Sequence, residues 1–399
     1  MKIVVFTQSP VSKAPRVVKE VNCLVNYGFD VTVFSLWHEE KVLEADFRLL
    51  PKNITYKAGA NLLQRNLKTN ALRLERRFYR EVVRFFGFQS KRSLGYGYSN
   101  YLSKLKAENA DLYIGHQEMS MALSKELMES GFNVAFDFED YHSHDLLPKD
   151  RIYRPIDLLK SLEGYLLNNA QFCTTTSDTL AKELAKEYRS KTPITIYNSF
   201  HKSNDYRCTR DNSNVNSLVW ISQVIGPGRG LELFIEAVKM SKNTFELTLI
   251  GKKEKKYCNE IQKLAPNNLV IHFKDFIQSN QIHQELKNFD LGIAFEELLP
   301  LNRDFTISNK IFHYLTSGIA ILATNTKGQI ELSIKAENAI AIVPTNPEAI
   351  AAVLDQVFSN RKQLERMKEK SKYYGESVFC FENEEAKLIG LVNSVEGRK

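Results

Sequence analysis

Short apolar runs alternate along the chain with longer segments whose apolar residues recur every three to four positions. Runs of four to six apolar residues are typical of strands buried in a parallel sheet, and the longer segments are typical of amphipathic helices. The predicted strands of the first half are residues 3–6, 31–35, 111–115, 133–136, 172–176 and 194–197. Those of the second half are residues 218–222, 245–250, 269–273, 291–295, 319–323 and 339–343. This order predicts an α/β protein whose parallel strands are joined by right-handed crossovers.

Chain length and one polar segment predict two domains. The 399 residues are many for one core and suit two domains of about 200 residues each. Residues 201–216 are polar and lack periodicity, which indicates a linker. We therefore predict an N-terminal domain over residues 1–200, a C-terminal domain over 217–375, and a closing segment over 376–399.

The composition is that of a globular protein. Hydrophobic residues make up 43% of the chain and charged residues 25%. No run approaches the ~18 apolar residues that a membrane-spanning helix needs, and the first residues enter a strand-like segment rather than a signal peptide. The five cysteines are far apart and match no zinc or disulfide spacing. We expect a cytoplasmic protein that holds neither a disulfide nor a metal.

Positive charge is concentrated in one segment. The net charge of the chain is +7, and residues 57–92 hold ten Lys/Arg and two Asp/Glu, a local charge of +8. A helix predicted over 64–86 groups six apolar residues within about 80° of one another and most of its arginines on the opposite side. The apolar residues are Leu67, Ala71, Leu74, Phe78, Val82 and Phe85, and the arginines are Arg73, Arg76, Arg77, Arg80 and Arg84.

This helix has two interpretations, and both stay open at this stage. It could lie on an anionic membrane with its basic residues at the lipid phosphates. Alternatively, its apolar stripe could pack on the domain core and leave the arginines solvated. No motif that reads nucleic acid accompanies the basic segment, so we expect no nucleic-acid partner.

Polar side chains follow two neighbouring strands of the first predicted sheet. His116 and Glu118 follow the strand that ends at residue 115, and Asp137 and Glu139 follow the strand that ends at residue 136. Ligands of open α/β sheets bind outside the carboxyl ends of the strands, and His and carboxylates offer acid–base groups there. We predict that these four residues are catalytic, although a lone histidine after a strand also suits a structural role. Arg16, at the start of the first predicted helix, is expected to be solvated.

A glycine-rich loop and a helix start indicate an anion site in the second half. The loop 226–230, GPGRG, follows a predicted strand; its glycines let the backbone approach a ligand, and Arg229 offers a bidentate donor suited to phosphate. Ser308 is a good N-cap for a helix that Gly318 ends, and helix N-termini attract anions. Lys310 would add a positive charge at that point. The simpler alternative is that Ser308 caps a surface helix and Lys310 is solvated.

In the order of its elements and in three motifs, the chain resembles the nucleotide-sugar glycosyltransferases of the GT-B fold, in particular glycosyltransferase family 4. The resemblance covers essentially the whole chain and is most specific in GPGRGLELFIEAV, in SNKIFHYLTSGIAILAT with KGQIEL after it, and in FCFENEEAKLIGLV. It implies two Rossmann-like domains that face each other across a cleft, with the donor on the C-terminal side and the acceptor on the N-terminal side. It also implies a C-terminal helix that returns to the first domain.

The resemblance assigns roles to individual residues. Arg229 falls where the family keeps a Lys or Arg on the donor diphosphate, and His116 falls where it has an active-site histidine. The donor-binding residues that we predict are Arg229, Gly230, Glu297, Ser308, Asn309, Lys310 and His313. The family usually carries two glutamates separated by seven residues, one on the donor sugar and one on the ribose; Phe305 and His313 stand at those positions here. No metal or cofactor is implied, because positive side chains and helix amides neutralise the departing diphosphate.

We therefore predict a hexosyl- or related glycosyltransferase that moves a sugar from a nucleoside-diphosphate sugar to an acceptor hydroxyl, with retention, in cell-surface polysaccharide or glycolipid synthesis. Its predicted partners are that donor, a saccharide or lipid-linked acceptor, and an anionic membrane on the cytoplasmic side, contacted through residues 57–92. Two alternatives stay open: a nucleotide-sugar epimerase of the same fold, and a catalytically silent nucleotide-sugar-binding subunit.

Overall fold

The chain folds into two compact units, and segments from both terminal parts of the chain belong to the first of them. The computed structural model describes residues 1–202 and 215–396, so positions 203–214 of the predicted linker lie outside the described residues. The first unit contains the described residues of Met1–Ile196, Pro300–Asn302 and Glu385–Lys399. The second contains those of Tyr197–Leu299 and Arg303–Glu384. A short segment of the second half of the sequence, Pro300–Asn302, is thus part of the first unit.

The first unit is built on a seven-stranded parallel sheet with the order β3-β2-β1-β4-β5-β6-β7 in the described residues. Its strands are β1 Lys2–Thr7, β2 Asp30–Trp37, β3 Thr55–Asn61, β4 Leu112–His116, β5 Val134–Phe138, β6 Cys173–Thr175 and β7 Ile194–Thr195. Its helices are α1 Pro15–Asn26, α2 Glu40–Leu49, α3 Leu67–Phe86, α4 Tyr98–Glu108, α5 Glu118–Glu129, α6 Pro148–Arg151, α7 Ile156–Asn169 and α8 Asp178–Tyr188. Short 3₁₀ turns occupy Val11–Lys13, Lys91–Ser93 and His142–His144.

The central strands form where the sequence predicted them, because their residues are apolar on both faces. Four residues of β1 in succession, from Ile3, are fully buried, and all of β4 and β5 is buried. Strand β3 and helix α2 were not predicted. Strand β3 pairs on one side only, with β2, and its residues TYKAGAN are mostly half-buried or exposed. An edge strand of this kind needs no apolar run, so the pattern of the sequence does not reveal it.

The second unit is built on a six-stranded parallel sheet with the order β10-β9-β8-β11-β12-β13, counted over the described residues. Its strands are β8 Asn216–Ile225, β9 Phe245–Lys253, β10 Leu269–Lys274, β11 Leu291–Ala294, β12 Ala320–Thr324 and β13 Ile340–Val343. The remaining helices are α9 Leu231–Met240, α10 Lys255–Leu264, α11 Ser279–Leu286, α12 Asn302–Phe305, α13 Asn309–Ser317, α14 Lys327–Lys335, α15 Pro347–Ser359, α16 Arg361–Ser377 and α17 Phe381–Glu396. The prediction of an α/β fold with two parallel sheets is confirmed.

Helix α13 is held between the sheet and α16, and its ends follow from its sequence. Gly318 ends α13 in the left-handed region at φ +68°, as predicted for a glycine stop. Behind it, Tyr314 is fully buried and its hydroxyl donates to the Ile293 carbonyl at 3.1 Å. On the other side, α16 approaches so closely at Gly375 that a Cβ there would overlap the Leu315 carbonyl oxygen.

We predict that Gly375→Ala lowers the free energy of unfolding by about 1–3 kcal/mol, the usual cost of overpacking a tight contact. Gly390 of α17 is the matched control, because a Cβ there would meet nothing within 4 Å. There, Gly390→Ala should be neutral or stabilise by up to about 1 kcal/mol through helix propensity. Chemical denaturation of both variants measures the difference, and equal stability of Gly375→Ala and the parent would contradict the close α13–α16 contact.

Candidate functional site

Each sheet reverses its strand order once, between β1 and β4 in the first unit and between β8 and β11 in the second. The loops that follow the two strands at such a reversal run in opposite directions and leave a crevice beyond the carboxyl ends of the strands, where α/β proteins bind ligands. The residues predicted from the sequence to be functional lie at the carboxyl ends of β4 and β5 or in the segments that follow β4, β5, β8 and β11. Both groups therefore lie at the carboxyl edges of the sheets, one group in each unit.

In the first unit, a buried group of four charged residues lies at the ends of β4 and β5. His116 and Asp137 are register partners on these strands, and α1 supplies Arg16 and Glu20, one helical turn apart. Each of the four is at most 8% exposed, and His116 is fully buried. We call these four residues the N-terminal charge cluster.

The contacts within the N-terminal charge cluster join opposite charges. His116 Nε2 lies 3.0 Å from Glu20 Oε2 and Nδ1 lies 3.3 Å from Asp137 Oδ2, in both cases outside hydrogen-bond angles. The Arg16 guanidinium binds both carboxylate oxygens of Asp137, with Nη2 2.8 Å from Oδ1, and donates to the Ile196 carbonyl at 2.7 Å. With His116 protonated, the cluster holds two positive and two negative charges.

These pairs set the ionisation of the cluster. Burial alone would lower the pKa of His116, but Glu20 and Asp137 outweigh it and raise that pKa to about 10. Burial alone would raise the pKa of Asp137, but Arg16 and His116 hold it well below its usual range. The pKa of Arg16 is also raised, because the attraction of Asp137 exceeds the cost of burial. All three groups are therefore charged at neutral pH.

This arrangement corrects one expectation for the first unit: Arg16 is buried and paired with Asp137 rather than solvated. His116 and Asp137, predicted to be catalytic, are enclosed, and their neighbours keep His116 cationic. This geometry suits a positioning role for the two residues, and their catalytic assignment stays a prediction. Glu20 was not singled out, because nothing in the local sequence marks it.

Glu118 and Glu139, the other two residues predicted to be catalytic, lie just after the same strands. Glu118 begins α5, is 5% exposed and is bound by Arg154; burial raises its pKa although Arg154 and Arg76 oppose the shift. Glu139 is half-buried, and burial together with the neighbouring Asp140 raises its pKa to about 7. Of the four, Glu139 alone combines partial exposure with a pKa near neutrality, which are the properties of an acid–base group.

The loop after β5 carries further carboxylates that are tied to the segment Pro300–Asn302. The Asn302 side-chain amide donates to Asp140 Oδ1 at 2.7 Å and to Asp145 Oδ1 at 2.8 Å, and its oxygen accepts from the Tyr141 backbone at 2.8 Å. Burial and Asp140 raise the pKa of Asp145 to about 7. Asn302 therefore fixes the loop that presents Glu139. Nothing in the sequence around Asn302 indicates this role, because its partners lie about 160 positions away.

In the second unit, the loop 226–230 joins β8 to α9 and presents Arg229. Gly228 and Gly230 both adopt φ +74°, and a Cβ on Gly230 would lie 2.8 Å from Phe295 Cβ. Glycine is therefore required there for both conformation and space. Arg229 is exposed, and no residue that the structure describes forms an ion pair or hydrogen bond with it. Its guanidinium is available to an anion at the N-terminus of α9.

The helix start at Ser308 is organised around Glu296, which follows β11. Ser308 occupies the N-cap position of α13 but its hydroxyl does not cap the helix; it donates to Glu296 Oε1 at 2.9 Å. Lys310 is 7% exposed and its Nζ lies 2.7 Å from the same oxygen. Burial alone would raise the pKa of Glu296, but Lys310, Ser308 and Arg229 lower it. Lys310 is therefore not solvated, since its charge is paired with Glu296; its contact with the donor phosphate stays a prediction.

The other predicted donor-binding residues are Glu297, beside the loop 226–230, and His313 and Asn309, both in α13. Glu297 is exposed and lies 3.8 Å from Arg303, which donates to the Gly228 carbonyl at 3.3 Å, so both border the loop 226–230. His313 lies one to two turns into α13, where its ring stacks on Phe200 at 3.9 Å and its Nδ1 is 3.0 Å from His283 Nε2. Asn309 is exposed at the helix start, and its side-chain oxygen accepts from Asn198 at 2.9 Å.

The positions of the two absent glutamates are occupied in different ways. Phe305 is buried, and the Lys327 ammonium lies 4.2 Å from its ring centroid. His313 packs against Phe200 and His283. The structure therefore brings together Arg229, Gly230, Glu297, Ser308 and Lys310 near Glu296 and Arg303, two residues that the prediction omitted. Arg303 could have been suspected only from its charge.

Comparison with known proteins adds a family match for part of the chain and identifies the fold. Residues 216–373 match the family model described as glycosyl transferases group 1. A search of curated protein sequences finds no relative. Among solved structures, the chain is similar to a sucrose-phosphate synthase from Thermosynechococcus elongatus, with a TM-score of 0.74, 11% identity and complete coverage of both chains.

Two further solved structures have the same architecture. HepE from Anabaena, solved in complex with UDP, has a TM-score of 0.70 and 13% identity over 99% of this chain and 100% of that one. A putative UDP-N-acetylglucosamine 2-epimerase from Listeria monocytogenes has a TM-score of 0.59 and 14% identity over 100% and 97%. At these identities the likeness establishes the fold. The predicted resemblance is confirmed: the chain has the GT-B fold, and residues 216–373 match the model of glycosyl transferases group 1.

Proposed function

We propose that this protein is a glycosyltransferase that uses a nucleoside-diphosphate sugar and transfers the sugar to an acceptor hydroxyl. The observation that carries the proposal is the Arg229 guanidinium, which has no partner among residues 1–202 and 215–396 and lies on a loop whose glycines keep the backbone open, beside two helix N-termini of the second unit. The match of residues 216–373 to glycosyl transferases group 1 supports sugar transfer. HepE, which shares the fold, has been solved with UDP and with UDP-glucose, and this supports a nucleotide-sugar donor.

The donor diphosphate would lie against Arg229 and the backbone of Gly230 and Asn309. Unpaired N–H groups at the starts of α9 and α13 provide neutral donors, and Arg229 provides a full charge in a bidentate geometry. Lys310 acts indirectly, because it neutralises Glu296 and so removes a negative charge that would repel the phosphates. Arg303 and Glu297 hold the loop in place from its other side.

Transfer breaks the bond between the anomeric carbon and the diphosphate oxygen and forms a bond from that carbon to the acceptor oxygen. The diphosphate gains negative charge as it leaves, and the proton of the acceptor hydroxyl passes to the departing diphosphate or to solvent. Groups that hold the diphosphate therefore stabilise the transition state more than the ground state. This chemistry needs no resident cofactor, and we propose that it proceeds without a metal and with retention at the anomeric carbon. The anomeric configuration of the product, measured by NMR, tests the last point.

In the first unit, Glu139 is the acidic residue best suited to act near the acceptor, since its carboxyl is half-buried and its pKa is about 7. His116 would act through it: the fixed imidazolium of the N-terminal charge cluster attracts the Glu139 carboxylate and moderates its raised pKa. Asp137 and Arg16 keep that imidazolium in place. Glu118, bound by Arg154, completes the polar edge of the sheet.

The acceptor that we propose is a saccharide or a lipid-linked sugar at an anionic membrane, on the cytoplasmic side, in cell-surface polysaccharide or glycolipid synthesis. The charge of +8 in residues 57–92 supports this partner, because basic residues concentrate at anionic lipid surfaces. No helix in residues 1–202 and 215–396 is long and apolar enough to cross a membrane.

The same experiments distinguish transfer from two other possible functions. Phe305 and His313, at the positions of the usual glutamates, favour a silent nucleotide-sugar-binding subunit, which would bind nucleotide and transfer nothing. The fold shared with a putative epimerase favours an enzyme that converts the donor sugar without an acceptor. Mass spectrometry of the donor and acceptor pools separates these outcomes from transfer.

We predict that Arg229→Ala raises the dissociation constant for the preferred nucleoside diphosphate at least about tenfold, since a charged hydrogen bond contributes about 1.5–3 kcal/mol. The dissociation constant of Arg229→Lys should lie between those of the parent and Arg229→Ala, because lysine keeps the charge and loses the bidentate geometry. The assay is thermal shift over a panel of nucleoside diphosphates; a ligand at 100 times its dissociation constant adds about 2.7 kcal/mol of stability.

Arg366 is the matched control for that assay, as an exposed arginine of α16 in the same unit. Its replacement by alanine should leave the affinity unchanged. Unchanged affinity in Arg229→Ala would show that the diphosphate does not bind at the loop 226–230. If no nucleotide shifts the thermal midpoint of the parent protein, the donor proposal is wrong.

We predict that His116→Gln lowers the free energy of unfolding by at least about 3 kcal/mol near pH 6, because it leaves two buried carboxylates facing one arginine. The folded pKa of His116, about 10, lies above the usual value of 6.5. The stabilisation by its proton is therefore complete below about pH 6.5 and is lost as the pH rises towards about 10. The difference in the free energy of unfolding between parent and variant should therefore become smaller as the pH rises through that interval.

Chemical denaturation at several pH values measures this gap. His272→Gln is the control, since that histidine is half-exposed and 3.8 Å from Glu246; it should change stability by less than about 0.5 kcal/mol at every pH. A gap for His116→Gln that is constant or widens with pH would show that the imidazole is not charged in the folded protein.

We predict that the protein sediments with anionic vesicles at low salt and that replacing Arg73, Arg77, Arg80 and Arg84 by Gln abolishes this. Screening at high salt should weaken binding of the parent in the same way. The control replaces Lys252, Lys255, Lys256 and Lys263, four exposed lysines at β9 and α10, by Gln and removes equal charge. If both variants bind alike, the segment 57–92 is not the membrane contact.

A further inference from the structure

Helix α3 exposes its apolar stripe instead of burying it. Leu67 is 91% exposed, Leu74 65%, Phe78 62% and Phe85 68%. At 100° per residue these four lie within about 40° of one another, and we call them the apolar ridge. Phe86, the last residue of the helix, and Phe88, just after it, add exposed apolar surface at the C-terminal end of α3, with 81% and 59% exposure. The expectation that the stripe packs on the domain core is therefore wrong.

The opposite face of α3 attaches the helix to the first unit. Thr69 and Val83 are buried and lie about 180° from the apolar ridge. Asn66 and Thr69 form a capping box, and Gly87 closes the helix in the left-handed region at φ +65°. Arg73 donates to the Leu62 carbonyl at 3.0 Å, and the Arg76 guanidinium lies 4.6 Å from the Tyr96 ring centroid. The ridge is thus held outward on an ordered helix.

A row of arginines lies between the attached face and the apolar ridge. Arg73, Arg77, Arg80 and Arg84, which we call the basic row, span about 60°, and their centre is about 110° from the ridge. Arg80 and Arg84 lie 5.3 and 5.0 Å from the ring centroid of Tyr153, which orients them along one side of the helix. The two acidic residues of the segment are paired: Glu75 with Arg92 at 3.3 Å and Glu81 with Arg84 at 3.5 Å.

We infer that α3 inserts the apolar ridge into the interface of an anionic lipid bilayer while the basic row contacts lipid phosphates. An apolar patch bordered by cations matches a surface that is apolar below and anionic above. Charge complementarity selects this occupant over a second copy of the chain, since a symmetric contact would bring two segments of +8 together. The inference rests on the membrane partner of the proposed function and adds insertion of the ridge to the attraction by charge.

The ridge is tested separately from the charges by Leu74→Ser, Phe78→Ser and Phe85→Ser in one variant. Its net charge equals that of the parent, so attraction to vesicles is kept and insertion is lost. With vesicles of phosphatidylcholine containing about a third phosphatidylglycerol, we expect its partition coefficient to fall at least about tenfold. The control variant carries Val270→Ser, Phe276→Ser and Ile334→Ser, three apolar residues of the second unit that are 52%, 55% and 71% exposed, and should bind like the parent.

Insertion itself is read from fluorescence. In the variant Phe78→Trp, the tryptophan emission should shift to shorter wavelength on vesicle binding, and lipids brominated on the acyl chain should quench it. Ile334→Trp should respond to neither, and the native Trp37 and Trp220 contribute equally to both variants. Circular dichroism and an unchanged thermal midpoint confirm that each variant is folded.

Three results would overturn the inference. The first is undiminished vesicle binding by the ridge variant, and the second is an unquenched tryptophan at position 78 in a vesicle-bound protein. The third is a dimer, seen by sedimentation velocity, that the ridge variant dissociates. Because no nucleotide is present in these assays, their failure leaves the donor site to be judged by the Arg229 measurements alone.

Discussion

A charge that is removed from water must be paired, and this constraint organises both candidate sites. In the first unit, Asp137 at the end of β5 is almost fully buried, and it is stable there because Arg16 and His116 surround it. In the second, Glu296 after β11 is stabilised by Lys310 and Ser308. In both units, a carboxylate at the carboxyl edge of a sheet determines which cations lie beside it and how they are oriented.

The same constraint separates structural cations from those available to a ligand. His116, Arg16 and Lys310 are used inside the protein, so their charges are already satisfied. Arg229 has no described partner and is exposed on a loop whose glycines leave the backbone accessible. A diphosphate would supply the missing negative charge. The proposed transfer fits this distinction, because a departing diphosphate needs cations that are not already neutralised.

The sequence predicted the parts of the fold that depend on local pattern and missed those that depend on contacts between distant residues. Strands such as β1 and β5 are apolar on both faces, so they were found, whereas the edge strand β3 was not. Gly318 ended a helix as predicted. Arg16 was expected to be solvated because its partner Asp137 lies 121 positions away. For the same reason, Asn302 could not be identified from its own neighbourhood.

Helix α3 shows a more general limit of pattern analysis. An amphipathic period reveals that a helix has two different faces, but it does not reveal which face meets the protein. Here Thr69 and Val83 attach the helix, while the apolar ridge, the stripe that the period identified, faces outward. Exposing large apolar side chains in water lowers stability by removing burial that the core would otherwise supply, at about 25 cal/mol per Å². An exposed apolar patch of this kind marks an interaction surface, and the basic row beside the ridge favours an anionic partner.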